Sequence, residues 1–341
     1  MILSIFLLLA GLALMVYAAD HFVVGAGRMA IRLRLSAIVV GAVVIGFGTS
    51  APELLVSASA AARDDLNLGT GNIIGSVVAN LTLVLGVVAL IRSIEVKNST
   101  LLREAPLSVA GVCAFAWMIQ GDVTRLEGFL MLAALIVSLV AIVWLGRKDG
   151  VAGDEEIERV LDDLDLESPS QINIRIEGLR TLFGLVGTVV GSQMLVEGAL
   201  DLADRAGISS GFVGLSLVAV GTSLPELVTA IAAVRKGNTD LIVGNLLGSN
   251  MFNGFAIGAG MGLVGPGQVT DPSLTGTATV IMLAVVAAAT LFMITNRAVV
   301  RWEGVVLLVV YLVSLPLLAS ESEAPDDDSA PAAVEAPISS G

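Results

Sequence analysis

The feature that most limits what this chain can fold into is a succession of long apolar runs. A helix that crosses a bilayer needs about 20 mostly apolar residues. Ten such runs follow one another, near residues 2–25, 36–61, 66–91, 105–120, 125–146, 176–203, 209–234, 239–264, 274–295 and 301–319. Inside lipid every backbone polar group must be satisfied by the segment that carries it or by a closed barrel. Runs of this length therefore predict an all-α integral membrane fold of ten transmembrane helices. The N-terminus, Met1-Ile2-Leu3-Ser4-Ile5-Phe6, is apolar but lacks the basic stretch of a cleaved leader, and reads as the first membrane helix. Charged residues are 14% of the chain, against about 25% in soluble domains.

Two polar stretches lie outside the runs: an acidic segment at 149–173 and a tail at 320–341 rich in Asp, Glu, Pro, Ala and Ser. The tail has no apolar periodicity and is expected to be disordered. Basic residues set the orientation, because cytoplasmic loops are enriched in Lys and Arg. With ten spans, fifteen of the eighteen Lys and Arg fall on one side; only Arg63, Arg125 and Arg205 fall on the other. The basic side is read as cytoplasmic, which puts both termini outside and the acidic 149–173 loop inside.

The chain also repeats itself. Under a shift of 173 residues, positions 41–80 align with 214–253 without a gap and 14 of the 40 are identical, where this composition gives about four by chance. The polar identities carry the signal: Gly48-Thr49-Ser50, Pro52-Glu53, Asn72, Ser76 and Asn80 recur as Gly221-Thr222-Ser223, Pro225-Glu226, Asn245, Ser249 and Asn253. Each half holds five helices, an odd number, so the second enters the membrane from the opposite side. The expected organisation is a first five-helix half at 1–148, the loop at 149–173, a second half at 174–319 and the tail. Inverted repeats of this kind build secondary transporters with a site at mid-membrane.

The repeated residues suit a hard cation. Glu53 and Glu226 lie within apolar spans, where a carboxylate is costly and usually functional. Pro52 and Pro225 lack an amide hydrogen and clash with the carbonyls of Gly48 and Gly221, so the helices should break or kink there. Thr49 and Glu53 share a helical face, as do Thr222 and Glu226, Ser76 and Asn80, and Ser249 and Asn253. Calcium takes six to eight oxygen ligands, and two carboxylates balance its charge. Asn72 and Asn245 fall at expected helix starts, where capping and ion contact are the two alternative roles.

Other chemistries lack their residues. A net charge of −13 argues against nucleic acid, the single Cys113 excludes an internal disulfide, and the single His21 leaves no His/Cys zinc cluster and no Ser/His pairing for hydrolysis. Within the acidic loop, Ile157, Val160, Leu161 and Leu164 fit one stripe of a short amphipathic helix. Asp20, His21, Glu197 and Asp201 lie toward span ends, with Glu197 deep enough to be considered as a gate or proton site.

GTSAPE at 48–53 with GNIIGSVVAN at 71–80, and GTSLPE at 221–226 with GNLLGSNMFN at 244–253, resemble the calcium/cation antiporter superfamily, and within it the prokaryotic sodium/calcium exchangers. The resemblance covers residues 1 to about 319. It implies a multi-pass protein of a prokaryotic cell membrane that transports calcium and sodium, uses no cofactor and needs no obligate protein partner. It implies Glu53 and Glu226 as principal calcium ligands, with Thr49, Ser50, Thr222 and Ser223 lining the calcium and sodium sites. Ser76 and Ser249 would serve flanking sodium sites with Asn80 and Asn253 nearby, and backbone carbonyls of Gly46 and Ala219 would assist, alongside those freed at Gly48 and Gly221. The first and sixth spans would slide over the rest, helped by Gly11, Gly25, Gly27, Gly184, Gly187, Gly191 and Gly198. Some relatives carry Asp where this chain has Asn253, and that Asp is associated with potassium use. Calcium/proton exchangers usually show Gly-Asn before the Glu. Both departures point to sodium coupling, with calcium/proton (or other divalent cation/proton) exchange as the alternative and a cation channel as the rival of a different class.

Overall fold

The computed structural model describes residues 1–32, 50–148, 172–236 and 239–321. The loop at 149–171 with its amphipathic stripe, and the tail from 322, lie outside them. The described chain is almost wholly helical: α1 (Ile2–Arg32), α2 (Ala51–Ala61), α3 (Leu66–Ile91), α4 (Asn98–Met118), α5 (Arg125–Lys148), α6 (Ile174–Ala206), α7 (210–222), α8 (Leu224–Lys236), α9 (239–264), α10 (274–296) and α11 (Arg301–Glu321). Eight helical spans among the described residues are long and apolar enough to cross a membrane. The other two expected spans are 239–264, helical throughout, and 36–61, of which 36–49 lies outside the described residues.

One boundary differs from the sequence reading. The fourth helix begins at Asn98, not near 105, and carries Pro106 inside it. Its first two turns are polar, so the apolar run starts later than the helix does.

Burial ranks the helices. In the span of α3, 83% of the most apolar window is buried, against 28–47% in the other seven. The central helix is therefore α3, and α9 matches it, with 251–259 buried without interruption. Outer helices expose Ile2, Phe6, Phe129, Val137, Phe183 and Leu312, side chains that suit lipid rather than water.

The repeat is structural as well as textual. Shifting α3 (66–91) by 173 residues gives the bounds of α9. Both contain one π-helical turn, Asn80–Val84 and Asn253–Ile257, at the same place. Two short antiparallel ribbons cross between the halves. Ile94–Glu95 (β1) pairs with Ala298–Val299 (β4), and Asp122–Val123 (β2) pairs with Gly267–Gln268 (β3).

The most extensive seam is between α1 and α6, which run antiparallel. A Cβ on Gly11 would stand 2.7 Å from Gly191 O, one on Gly191 2.7 Å from Met15 N, and one on Gly198 2.6 Å from Leu8 N. Backbones approach this closely only where side chains are absent. Each end of the seam carries a polar clasp. Arg28 and Arg180 donate to the two carboxylate oxygens of Glu177 at 3.1 and 3.0 Å. At the far end Asp201 accepts from Ser4 and, at 2.7 Å, from Arg205. The shift of 173 carries Ser4 onto Glu177 and Arg28 onto Asp201, so the two inter-helix clasps exchange under the repeat.

Their surroundings differ. The Glu177 side chain is 8% exposed and that of Asp201 41%. Removing one partner of a buried pair strands the others, whereas exposed pairs contribute little. Glu177→Gln should lower the thermal midpoint of the detergent-purified protein by about 2–4 °C, from a loss of about 1–2 kcal/mol. Asp201→Asn should leave the midpoint within measurement scatter.

Candidate cation-binding site

The two motif copies adopt one local structure. Ser50 has φ −90° and ψ 3°, Ser223 φ −85° and ψ 4°. In the second copy this bridge conformation breaks the helix at Ser223, and in both copies a helix, α2 or α8, starts at the residue after the serine. Pro52 and Pro225 fall in the first turn of these helices, where a missing N–H has no partner to lose. The break in the second copy therefore lies two residues ahead of Pro225, and what precedes Ser50 lies outside the described residues.

Glu53 and Glu226 follow in the same first turn, and both are fully buried. The carboxylates come from different halves yet lie within electrostatic reach of each other. Ser223 of the second copy donates to Glu53 Oε1 at 3.5 Å. Ser50-x-x-Glu53 has the spacing of a capping box, but Ser50 makes no side-chain cap. Its Oγ is buried without a hydrogen-bond partner, and so is Glu53 Oε2.

The central helices supply the rest. Ser76, Asn80, Ser249 and Asn253 are buried, and each asparagine opens the π-helical turn of its helix. A π turn re-aims side chains within a helix and recurs at functional sites. Asn80 Nδ2 donates to Asn250 Oδ1 at 3.1 Å, which ties α3 to α9. Ser76 Oγ, Asn80 Oδ1 and both amide atoms of Asn253 have no hydrogen-bond partner. A buried polar atom without a partner costs about 1–3 kcal/mol. A cation could satisfy the oxygens among them at once.

Thr222 and Ser223 are buried beside these groups, and so are Ala219 and Gly221. The Ala219 carbonyl accepts from Ser223 N at 3.0 Å and from the Thr222 hydroxyl at 3.2 Å. Thr49, Gly46 and Gly48 lie outside the described residues. No group of three or more His, Cys, Asp or Glu side chains occurs among the described residues. The donor set is thus two carboxylates completed by hydroxyls and amides, hard oxygen ligands suited to calcium or sodium.

Asn72 and Asn245 do not cap helices. Asp65 caps α3, accepting from Leu68 N at 2.8 Å, and Asn72 stands well inside the helix, fully buried. Asn245 likewise lies within 239–252. Both helices start where the apolar runs do, at 66 and 239, so each asparagine stands six residues inside its helix. Asn250 and Ser57, also fully buried, escaped the sequence reading because the repeat replaces them with Val77 and Ala230. Glu197 is no part of the site; its side chain is 61% exposed and stands 4.0 Å from that of Arg63. His21 is half-buried on α1 and contacts Tyr17 O at 3.0 Å.

Known proteins agree with this architecture. The family model described as sodium/calcium exchanger protein matches residues 3–144 and 179–319. The sodium/calcium exchanger MaX1 of Methanosarcina acetivorans is 31% identical over 92% of this chain and 97% of its own length. The inner membrane protein YrbG of Escherichia coli is 33% identical over 93% and 97%. The solved sodium-calcium exchanger NCX_Mj, soaked with sodium and calcium, superposes with a TM-score of 0.62 at 29% identity, over 93% of this chain and 98% of its own. The family is one of ion exchangers that reside in membranes, not of catalysts, and the match spans both halves and both copies of the motif. This chain belongs to the sodium/calcium exchanger family.

Proposed function

We propose that the chain is a secondary antiporter that exchanges calcium for sodium by alternating access at one mid-membrane site. The observation that carries this reading is the pair of buried carboxylates, Glu53 and Glu226, within electrostatic reach of each other, in a core where the buried oxygens Ser50 Oγ, Ser76 Oγ, Asn80 Oδ1 and Asn253 Oδ1 have no hydrogen-bond partner. Two carboxylates neutralise one calcium. Sodium ions would use the same oxygens in smaller subsets, with Thr49, Ser50, Thr222, Ser223, Ser76, Asn80, Ser249 and Asn253 as the remaining ligands and the Gly46, Gly48, Ala219 and Gly221 carbonyls assisting. Because the oxygens are shared, one cation leaves only as the other enters.

The topology that goes with it is ten spans in two inverted halves with both termini outside, in a prokaryotic cell membrane. Antiparallel packing of α1 on its repeat partner α6 supports the inversion, since equivalent helices of inverted halves must run in opposite directions. The glycine seam and the two clasps would let α1 and α6 travel together across the helices that hold the site.

Vesicles preloaded with sodium and diluted into sodium-free medium should take up calcium, at a rate that falls as external sodium rises. A pH jump without sodium should drive none. Uptake driven by the pH jump and indifferent to sodium would replace this reading with calcium/proton exchange.

A further inference from the structure

Asn72 meets both motif copies at once. Its Nδ2 donates to Glu53 O at 3.3 Å and to Ser57 Oγ at 3.0 Å; Ser57 in turn donates to Gly69 O at 3.2 Å. Its Oδ1 accepts from the Thr222 hydroxyl at 3.2 Å. The amide is fully buried, and its donor side locks it to the backbone of the first copy. The acceptor side is thereby held toward the second copy.

That orientation matters for a hydroxyl ligand. A hydroxyl has one hydrogen and two lone pairs, and it binds a cation through a lone pair. The Thr222 hydrogen has two acceptors at 3.2 Å, Asn72 Oδ1 and Ala219 O, and the Glu53 carboxylate is also within its reach. If it goes to Ala219 or to Glu53, it occupies an oxygen of the proposed ion site. If it goes to Asn72, the Thr222 lone pairs and the Ala219 carbonyl are both available to the cation.

We propose that Asn72 is a positioning residue, which takes the Thr222 hydroxyl hydrogen and so turns the Thr222 oxygen toward the cation. The inference rests on the ion-site reading above. Asn72 touches no ion itself and acts through Thr222. The donor bonds to Glu53 O and Ser57 Oγ serve to hold the amide in this orientation.

The test is a double-mutant cycle on the full-length purified protein, read as calcium affinity by titration calorimetry in sodium-free buffer. Asn72→Ala alone should weaken calcium binding about five- to tenfold, the size of one net hydrogen bond. Thr222→Val alone should weaken it by at least as much. The double variant should bind like Thr222→Val, within twofold, because the hydroxyl through which Asn72 acts is gone. A full five- to tenfold loss from Asn72→Ala in the Thr222→Val background overturns the proposal. Should Asn72→Ala fail to elute as a folded species, Asn72→Asp serves instead, being isosteric and keeping the acceptor oxygen. In that background Thr222→Val should still cost its wild-type factor, and no cost there overturns the proposal. Calcium binding unchanged by both Thr222→Val and Glu53→Gln would instead remove the ion-site reading itself.

Discussion

Glu53→Gln and Glu226→Gln should each reduce sodium-dependent calcium uptake to background while leaving a folded protein. Each substitution keeps the shape of the side chain and deletes one of two charges available to a divalent ion. Stripping one partner from a buried charge interaction costs about 3–5 kcal/mol, a loss of affinity of between about a hundredfold and a few thousandfold. Thermal stability should move the other way. Without ions, two carboxylates buried within reach of each other repel, so neutralising either should hold or raise the midpoint measured in chelator. Calcium at a hundredfold above its dissociation constant should stabilise the wild type by about 2.7 kcal/mol, and the Gln variants by close to nothing. Thermal scans with and without calcium separate the effects, and a Gln variant stabilised by calcium as strongly as the wild type would remove that carboxylate from the site.

The second large effect is expected at Gly75. Here α3 crosses α7 so closely that a Cβ would overlap the Leu215 carbonyl oxygen and stand 2.5 Å from Ala219 Cβ. Nothing flexible can yield, because the obstruction is backbone. One turn away, a Cβ on Gly71 would meet Gly211 in the same manner and stand 2.9 Å from Leu215 N. Overpacking a core usually costs about 1–3 kcal/mol, and a backbone obstacle puts Gly75→Val at the top of that range or beyond. The crossing packs α3, which carries Ser76 and Asn80, against the part of α7 that carries Ala219 and Thr222, so separating the helices disturbs the candidate site as well. Gly75→Val should therefore lose most of its folded yield on size exclusion, and any folded remainder should bind calcium at least tenfold more weakly.

Such close crossings mark where the sequence stops being informative. The apolar runs located the helices because lipid imposes length and composition on each span independently of its neighbours. The repeat located Glu53 and Glu226 because carboxylates are rare in such spans, so two in matching register stand out. The break ahead of Pro225 was legible in kind but not in place, since Pro is equally at home in the first turn after a break. The role of Asn72 was hidden for a different reason. Its partners, Thr222, Ser57 and the Glu53 carbonyl, come together only when α2, α3 and α7 are packed, and nothing local distinguishes a bracing amide from a capping one. Asn250, which ties α9 to Asn80, has no copy in the first half and so left no trace in the self-comparison. Pairwise contacts between halves are properties of the packing, and only their endpoints are written in the chain.

The central claim is that calcium and sodium compete for the oxygens between Glu53 and Glu226. Crystals soaked in strontium, a heavy calcium stand-in, and then in strontium with rising sodium, test it directly through anomalous density. The account requires one strong peak within bonding distance of both carboxylates, fading as sodium rises. A peak elsewhere, or a peak between the carboxylates that sodium leaves unchanged, would contradict it.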